Sequence, residues 1–338
     1  MQKKFIRRAA ASLLVIGVSA LGLSACSSGS TTAQSVTLVT HDSFVWPKAD
    51  KAQFEKSTGI KVKIVHAGDA GALTNKLVLT SAKPIGDAFY GIDNTFIGVA
   101  QKAGIIAGSA HEADFGDVCV NYDREWFNNS AHMMKPPTNW RDLIKPAYRG
   151  LTVVENPSTS STGLAFVALT YAGQSASIHP VRERQFEAYW SALKANGVKI
   201  DAGWEDAYYT DFSGSSGKGA YPIVISYSTS PADEVRDYGA SQTASLNDEC
   251  FRQYEYVGAL KGAANAAGAT KVVEHLLGKD FQSTIAESMY VYPVNKDAAL
   301  PASWLKYTAK AKVQLGADLN LSELHSSLLA GFNKAVGN

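Results

Sequence analysis

Residues 36–68 read VTLVTHDSFVWPKADKAQFEKSTGIKVKIVHAG, and this stretch sets the class of fold. Its first five residues are apolar or β-branched, and they run into His41, Asp42, Ser43 and Phe44. A helix-like stretch around ADKAQFEKSTG follows and stops at Gly59. The next run, IKVKIVHAG, alternates apolar and basic side chains, the period of a strand. Further along, DAGALTNKLVLTSAKP places Asp69 as an N-cap ahead of apolar residues at helical spacing, with Pro84 as its end. DAFYGID reads as a third strand and NTFIGVAQKAG as a third helix closed by Gly104. Parallel strands need a crossover between them, and a helix supplies it. The alternation of strands and helices therefore predicts an α/β lobe built on a mostly parallel sheet.

From Cys119 the pattern begins again. CVNYD leads into PPTNWRDLIKP, a Pro-rich turn and short helix. GLTVVENP is a strand, and STSSTGLAFVALTYAG opens with small hydroxyl residues and continues as an apolar helix. QFEAYWSALKANG reads as an amphipathic helix, VKIDAG as a strand, WEDAYYTDFSG as a helix and YPIVISYSTSP as a strand. This is a second α/β lobe. CFRQYEYVGALKG then returns as a long strand, two helices follow within ATKVVEHLLGKDFQSTIAES, MYVYPVN is a short aromatic strand or loop, and LSELHSSLLAGFNKAV is a terminal helix. GSSGKG is not a phosphate-binding loop, because Lys218 is followed by Gly219 and not by Ser or Thr.

The 338 residues are 46% apolar and 19% charged, enough to bury two lobes of ordinary size. The first 25 are a separate object. Lys3, Lys4, Arg7 and Arg8 precede an uncharged apolar run, the form of a secretory signal. The run ends in Leu23, Ser24, Ala25 and Cys26, which resembles the lipobox of bacterial lipoproteins and implies cleavage before Cys26 and lipid on its thiol. Residues 27–35, rich in Ser, Thr and Gly, read as a flexible tether. Without the signal the chain carries 28 basic and 31 acidic residues, a net charge of −3. A weakly acidic chain with no basic stripe is a poor partner for nucleic acid. Two cysteines remain, Cys119 and Cys250. Outside the cytoplasm such a pair reads either as a disulfide or as two buried thiols, and no local Cys/His cluster supports a metal site.

Ligands of open α/β sheets bind beyond the carboxyl ends of the strands. The residues there are His41, Asp42, Ser43 and Phe44 after the first strand, Asp69 and Ala70 after the second, and Asp93 and Asn94 after the third. In the second lobe they are Ser160 and Ser161, which open a helix, then Trp204, and then Tyr227, Ser228, Thr229 and Ser230. Tyr290 lies near the C-terminus. Aromatic faces with a carboxylate suit a delocalised organic cation. Unpaired N–H groups at a helix start suit a phosphate or an alcohol. The set offers no general acid–base pair and no nucleophile beside a histidine.

THDSF, GDAGALTNKL, GDAFYGIDNTF, ENPSTSSTGL, DAGWEDAYYTDF, ISYSTSPA and YVYPVN, in that order over residues 36–300, resemble the thiamine-binding proteins of bacterial ABC importers. The resemblance implies a two-lobe type II periplasmic-binding-protein fold, α/β throughout, with crossing strands joining lobe 1 (36–117 and 255–338) to lobe 2 (118–254). It implies capture of thiamine or its phosphates between the lobes, delivery to permease subunits, no cofactor, and a monomer held at the membrane by lipid or free in the periplasm. Asp69 and Ala70 match a ligand contact, Ser160 and Ser161 the positions holding the hydroxyl or phosphate end, and Trp204 and Tyr227 aromatic contacts, with Ser228, Thr229 and Ser230 the hydroxyl cluster after them. Tyr290 stands where the family often has tryptophan, Asp233 where some members place a tyrosine, and Ala70 where glycine is usual. Residues 106–115 are short for the family and read as a trimmed surface loop. A disulfide between Cys119 and Cys250 fits strands that cross at the hinge. The rival readings are a same-fold receptor for ferric iron, a polyamine or a phosphonate, and a secreted thiamine-degrading enzyme. Iron would call for adjacent tyrosinate ligands, of which Tyr208 and Tyr209 are the one tandem pair. The enzyme would need an activated cysteine.

Overall fold

The structure, a computed structural model, describes residues 34–175, 178–237 and 239–337. The signal segment 1–25, Cys26 and the tether up to residue 33 lie outside the described residues. Ser35, expected in the tether, is already paired with Lys61 as the first residue of a strand.

The first wing is β1 (Ser35–Thr40), α1 (Lys48–Thr58), β2 (Lys61–His66), α2 (Ala70–Leu79), β3 (Ala88–Asp93) and α3 (Ile97–Lys102). Gly59 ends α1 in the left-handed conformation, at φ 70°, with its N–H on the Glu55 carbonyl, as a C-terminal glycine does. β1 lies between β2 and β3 and is parallel to both. β3 is buried at every position, the mark of a strand covered on both faces.

Next come β4 (Ile106–Asp123) and α4 (Arg124–Asn128), and then the second wing: β5 (Thr152–Glu155), α5 (Ser161–Ala172), α6 (His179–Ala195), β6 (Lys199–Asp201), α7 (Ser213–Ser216) and β7 (Ile223–Tyr227). Here β5 lies between β6 and β7, again parallel to both. The stretch expected as a helix around Tyr208 is a wider π-type turn, Asp206–Asp211. β8 (Thr243–Leu260) returns, followed by α8 (Ala266–Leu277), α9 (Lys279–Gln282), α10 (Ile285–Ser288), β9 (Tyr292–Pro293), α11 (Ala302–Leu305), β10 (Val313–Gln314) and α12 (Leu321–Val336).

The sheet order is β2-β1-β3-β8-β4-β7-β5-β6. β4 and β8 are antiparallel and 18 residues long each. The end of β8 from Glu255 to Ala259 pairs with β3, whereas the end of β4 from Val118 to Tyr122 pairs with β7. Both long strands thus belong to one wing at one end and to the other wing at the other. The fold is α/β, with two parallel wings joined through an antiparallel crossing pair. Residues 106–115 are not a surface loop: they form the first half of β4, along β8 from Leu260 to Tyr254 and against β9. Their small and polar side chains disguise a strand whose hydrogen bonds come from its neighbours. α12, assigned by sequence to the first lobe, meets the first wing through His325, whose ring lies 5.1 Å from that of Phe96 and whose Nδ1 lies 3.0 Å from the Thr95 carbonyl. It packs on α6, with Phe332 and Trp190 rings 4.8 Å apart and Lys334 paired with Glu187 at 2.7 Å. An apolar helix face goes where the largest apolar partner is, whatever its place in the chain.

Two links fasten the crossing. Cys119 on β4 and Cys250 on β8 form a disulfide across 131 residues of chain. One turn of the pleat away, Arg252 clasps the fully buried Asp117 carboxylate at 2.5 and 3.1 Å. The chain-entropy gain from such a long loop is ~3–5 kcal/mol. Replacing Cys119 and Cys250 together by alanine should lower the unfolding free energy by about that amount. Urea titrations of the two proteins would measure it, and coincident midpoints would remove the disulfide from the account of stability.

Candidate functional site

The carboxyl ends of β1, β2, β5, β6 and β7 face one another across a cleft beside the crossing strands. Its inner part, about 40 Å³, is lined by His41, Ser43, Asp69, Ser161, Trp204, Tyr227, Glu255, Met289 and Val291. An outer part of about 210 Å³ shares Ser43, Asp69 and Trp204 and adds Asp42, Glu205 and Asp206 among others.

Asp69 is the central residue. It caps α2 through Ala70 N–H at 2.6 Å, and the same oxygen faces the N–H and hydroxyl of Ser161, at the head of α5, at 3.5 and 3.4 Å. Its second oxygen accepts from Trp204 N–H at 2.9 Å. The positive ends of two helices and a third N–H thus converge on one carboxylate. The two wings touch here: Ala72 N–H donates to the Thr159 carbonyl at 3.0 Å. Gly71 allows that approach, since a Cβ there would lie 2.7 Å from the Thr159 carbonyl carbon and 2.9 Å from the Ser158 oxygen.

Trp204 stacks on Tyr208 at 4.8 Å and 14°, and its indole N–H donates to Ser226 Oγ at 2.9 Å. Ser226 in turn shares a 2.7 Å hydrogen bond with Ser230. Part of the hydroxyl cluster after β7 therefore orients the indole. Ser228 and Thr229 are buried, and their hydroxyls have no partner among the described residues. Tyr227 lies 6.4 Å from Trp204, its ring tilted by 56°, and its hydroxyl accepts from Gln253.

Not every expected residue lines the inner cleft. Ser160 is the buried N-cap of α5, its hydroxyl accepting from Gly163 N–H. Ala70 is buried behind Asp69. Asp93 is fully buried and holds Thr95, whose hydroxyl lies 2.9 Å from both carboxylate oxygens. Burial, partly opposed by Thr95 and assisted by the Glu255 charge, pushes the Asp93 carboxyl up to about 8. Asp42 sits at the exposed outer rim and accepts from Gly68 N–H. Tyr290 has a left-handed backbone, φ 57°, and its neighbours Met289 and Val291 reach the inner cleft in its place. The Tyr290 hydroxyl meets Asp233, which also accepts from Tyr209 at 3.2 Å. Asp233 thus joins two tyrosines.

Sequence reading placed His41 at a strand end without giving it a separate role, and passed over Glu255, its partner at the cleft floor. His41 Nε2 lies 3.1 Å from Glu255 Oε2, both of them buried. The ring fits because β3 bulges at Gly91, at φ 97°, where a Cβ would lie 2.0 Å from the imidazole. Gln253 continues the chain, with its amide N–H 3.4 Å from Glu255 and 2.8 Å from the Tyr227 hydroxyl. Burial alone would deprotonate His41. Glu255 first, then Asp69 and Asp114, outweigh it and raise the imidazole to about 9. The signal for Glu255 was a lone acid within the aromatic run of β8. That for His41 was its place at the end of β1. Neither pattern distinguishes a cleft residue from a rim residue before the strands are paired.

An open sheet with two wings and a cleft between them defines a receptor for a small solute. The chain belongs to the bacterial extracellular solute-binding proteins, the family that matches residues 94–313. It is 28% identical over 288 residues to a thiamine-binding periplasmic protein of Brucella melitensis, covering 80% of this chain and 82% of the relative. It is 27% identical over 297 residues to one of Escherichia coli, covering 82% and 85%. Among solved structures, a periplasmic thiamin binding protein superposes with TM-score 0.76 at 22% identity, over 92% of this chain and 98% of that one. The ferric binding protein of Campylobacter jejuni superposes with TM-score 0.67 at 14% identity, over 89% and 99%. Among the described residues no helix is long and apolar enough to cross a membrane.

The raised pKa of His41 has a consequence for stability. The folded chain holds this proton more tightly than the unfolded one, so the contribution is complete below pH 6.5 and is lost as pH rises through about 9. Thermal midpoints should therefore fall between pH 7 and pH 10, and His41→Gln should fall less over the same window. Parallel curves for the two proteins would contradict this assignment of charge.

Proposed function

We propose that this protein is the substrate-binding lipoprotein of an ABC importer and that its ligand is thiamine. The observation carrying this reading is the convergence of Trp204 and Tyr227 with the carboxylates of Asp69 and Glu255 in one cleft. Thiamine is flat, aromatic and cationic, and a buried cation needs an opposite charge or a ring face beside it. Trp204, backed by Tyr208, offers an indole face, Tyr227 offers a second ring, and Asp69 and Glu255 supply the negative field. The names of the relatives support the same ligand.

Little free space is left in the inner cleft of this structure, and the wings part to admit the ligand in this proposal. In this reading they are lobes, residues 36–117 with 255–320 and residues 118–254 with α12, and they hinge where β4 crosses β8. A monomer tethered through lipid on Cys26, or free in the periplasm, captures the ligand and docks on permease subunits, which take it. No bond is made or broken.

Specific observations disfavour the rivals. Tyr208 is buried against Trp204 and bonds the Ser230 carbonyl, while Tyr209 turns to Asp233, so the tandem pair does not converge on a metal. Cys119, the nucleophile an enzyme would need, is bonded to Cys250.

Calorimetric titration of the mature chain with thiamine, spermidine and ferric citrate tests the reading. Thiamine should bind and quench tryptophan fluorescence, and Trp204→Ala should weaken binding by ~1–3 kcal/mol. Unchanged affinity in that variant would remove the stacking role, and binding of iron or the amine with no response to thiamine would overturn the reading. Cys26→Ser should release the protein from the membrane fraction of producing cells. Retention there would exclude the lipid anchor.

A further inference from the structure

Resting on the reading of the cleft as a thiamine site, we infer that the ligand's ring cation enters in exchange for a proton: His41 is the resident counter-cation of Glu255, and it gives up its charge when the ligand arrives.

The geometry sets up this exchange. His41 Nε2 lies 3.1 Å from Glu255 Oε2, and both side chains line the inner cleft. The imidazole is lodged against Gly91, where a Cβ would lie 2.0 Å from it, and the other Glu255 oxygen lies 3.4 Å from the Gln253 amide. Among the described residues lining the inner cleft there is no lysine or arginine. A ligand cation therefore meets one protein cation there, the His41 imidazolium.

The surrounding groups leave Glu255 as the charge for which the two compete. Asp69, at the head of α2, is already met by the N–H groups of Ala70 and Trp204 and by the Ser161 hydroxyl of α5. Asp114 on β4 accepts from the Tyr90 hydroxyl of β3, and burial holds its carboxyl well above the usual range. Burial also pushes Asp93, at the end of β3, up to about 8. Both acids carry their protons at neutral pH and add no negative field. Tyr227 of β7 is neutral, its hydroxyl likewise pushed up by burial. His66 of β2 lies with its Nδ1 3.1 Å from the His41 carbonyl. Glu205 and Asp42 stand in the outer part of the cleft. One carboxylate then faces both an imidazolium and a thiazolium.

Like charges disfavour one another's ionised form, and more so where water is excluded. The ring cation is permanent, so the proton leaves. A neutral imidazole with its hydrogen on Nε2 still donates to Glu255, and neither side chain has to move. Without ligand the folded chain holds this proton up to about 9, because Glu255 outweighs burial. A bound cation opposes that attraction and lowers the imidazole again. Binding then releases the proton below that pH and tightens as pH rises, by up to about tenfold per pH unit.

Calorimetric titration of the mature chain with thiamine near pH 7.5, in two buffers of different ionisation enthalpy, counts the protons released. The wild-type chain should release about one, and its affinity should rise about tenfold or more between pH 6.5 and pH 8.5. In His41→Gln the count should fall to near zero, and the affinity should change by less than about threefold over the same range. Asp93→Asn should keep both the count and the slope. A flat pH profile with no proton released by the wild-type chain would overturn the inference and leave the thiamine reading standing, and that measurement needs no variant. A count that survives His41→Gln and disappears in Asp93→Asn would also overturn it, by assigning the proton to Asp93. Failure to bind thiamine at any pH would remove both the inference and the reading on which it rests.

Discussion

Strands β4 and β8 lie side by side along the middle of the molecule, and the other elements depend on that antiparallel ladder. Each is long enough to leave one wing and enter the other. β3 can therefore pair with the far end of β8, and β7 with the far end of β4, without the two wings sharing a further strand. The disulfide and the pair of Arg252 with Asp117 sit where that exchange happens. The Asp117 carboxylate is fully buried, so parting it from the half-buried Arg252 would leave it in low dielectric without a counter-charge. The crossing is thus held firmly between two wings that also meet at Ala72 and Thr159.

The cleft inherits its chemistry from this arrangement. Strand ends from both wings point into it, and the helix that follows each strand begins there, so polar side chains and helix heads accumulate in one place. Acidic groups outnumber basic ones: Asp69 and Glu255 face His41 alone in the inner part. The protonated imidazole is retained because three carboxylates surround it, overcoming the burial that would strip its proton. The aromatic side is built with similar economy. Tyr208 supports Trp204, and Ser226 with Ser230 fixes the indole N–H, so the ring is oriented before any ligand arrives.

Much of this was legible in the chain. The strand–helix alternation of residues 36–104 sets the parallel wing, Gly59 closes α1, Asp69 caps α2 and Ser160 caps α5, and each of these depends on a few neighbouring residues. Residues 106–115 were misread because they are short for the family, and only the facing stretch of β8 makes them a strand. The role of Asp69 was half legible. Its cap on α2 is local, whereas its contacts to Ser161 and Trp204 span 92 and 135 residues. Tyr290 has a left-handed backbone that no spacing rule anticipates, and Met289 and Val291 on either side of it line the inner cleft.

By itself the sequence determined the α/β class, the element order, the caps and the set of residues that end up at strand ends. These follow from hydrophobic period and local backbone preference, which act over a few residues. Tertiary structure alone decided that Glu255 lies against His41, that Asp69 fills the head of a helix from the other wing, and that α12 rests on α6. Charge pairing and burial depend on distances between segments far apart in the chain, and those distances exist only once β4 and β8 have crossed.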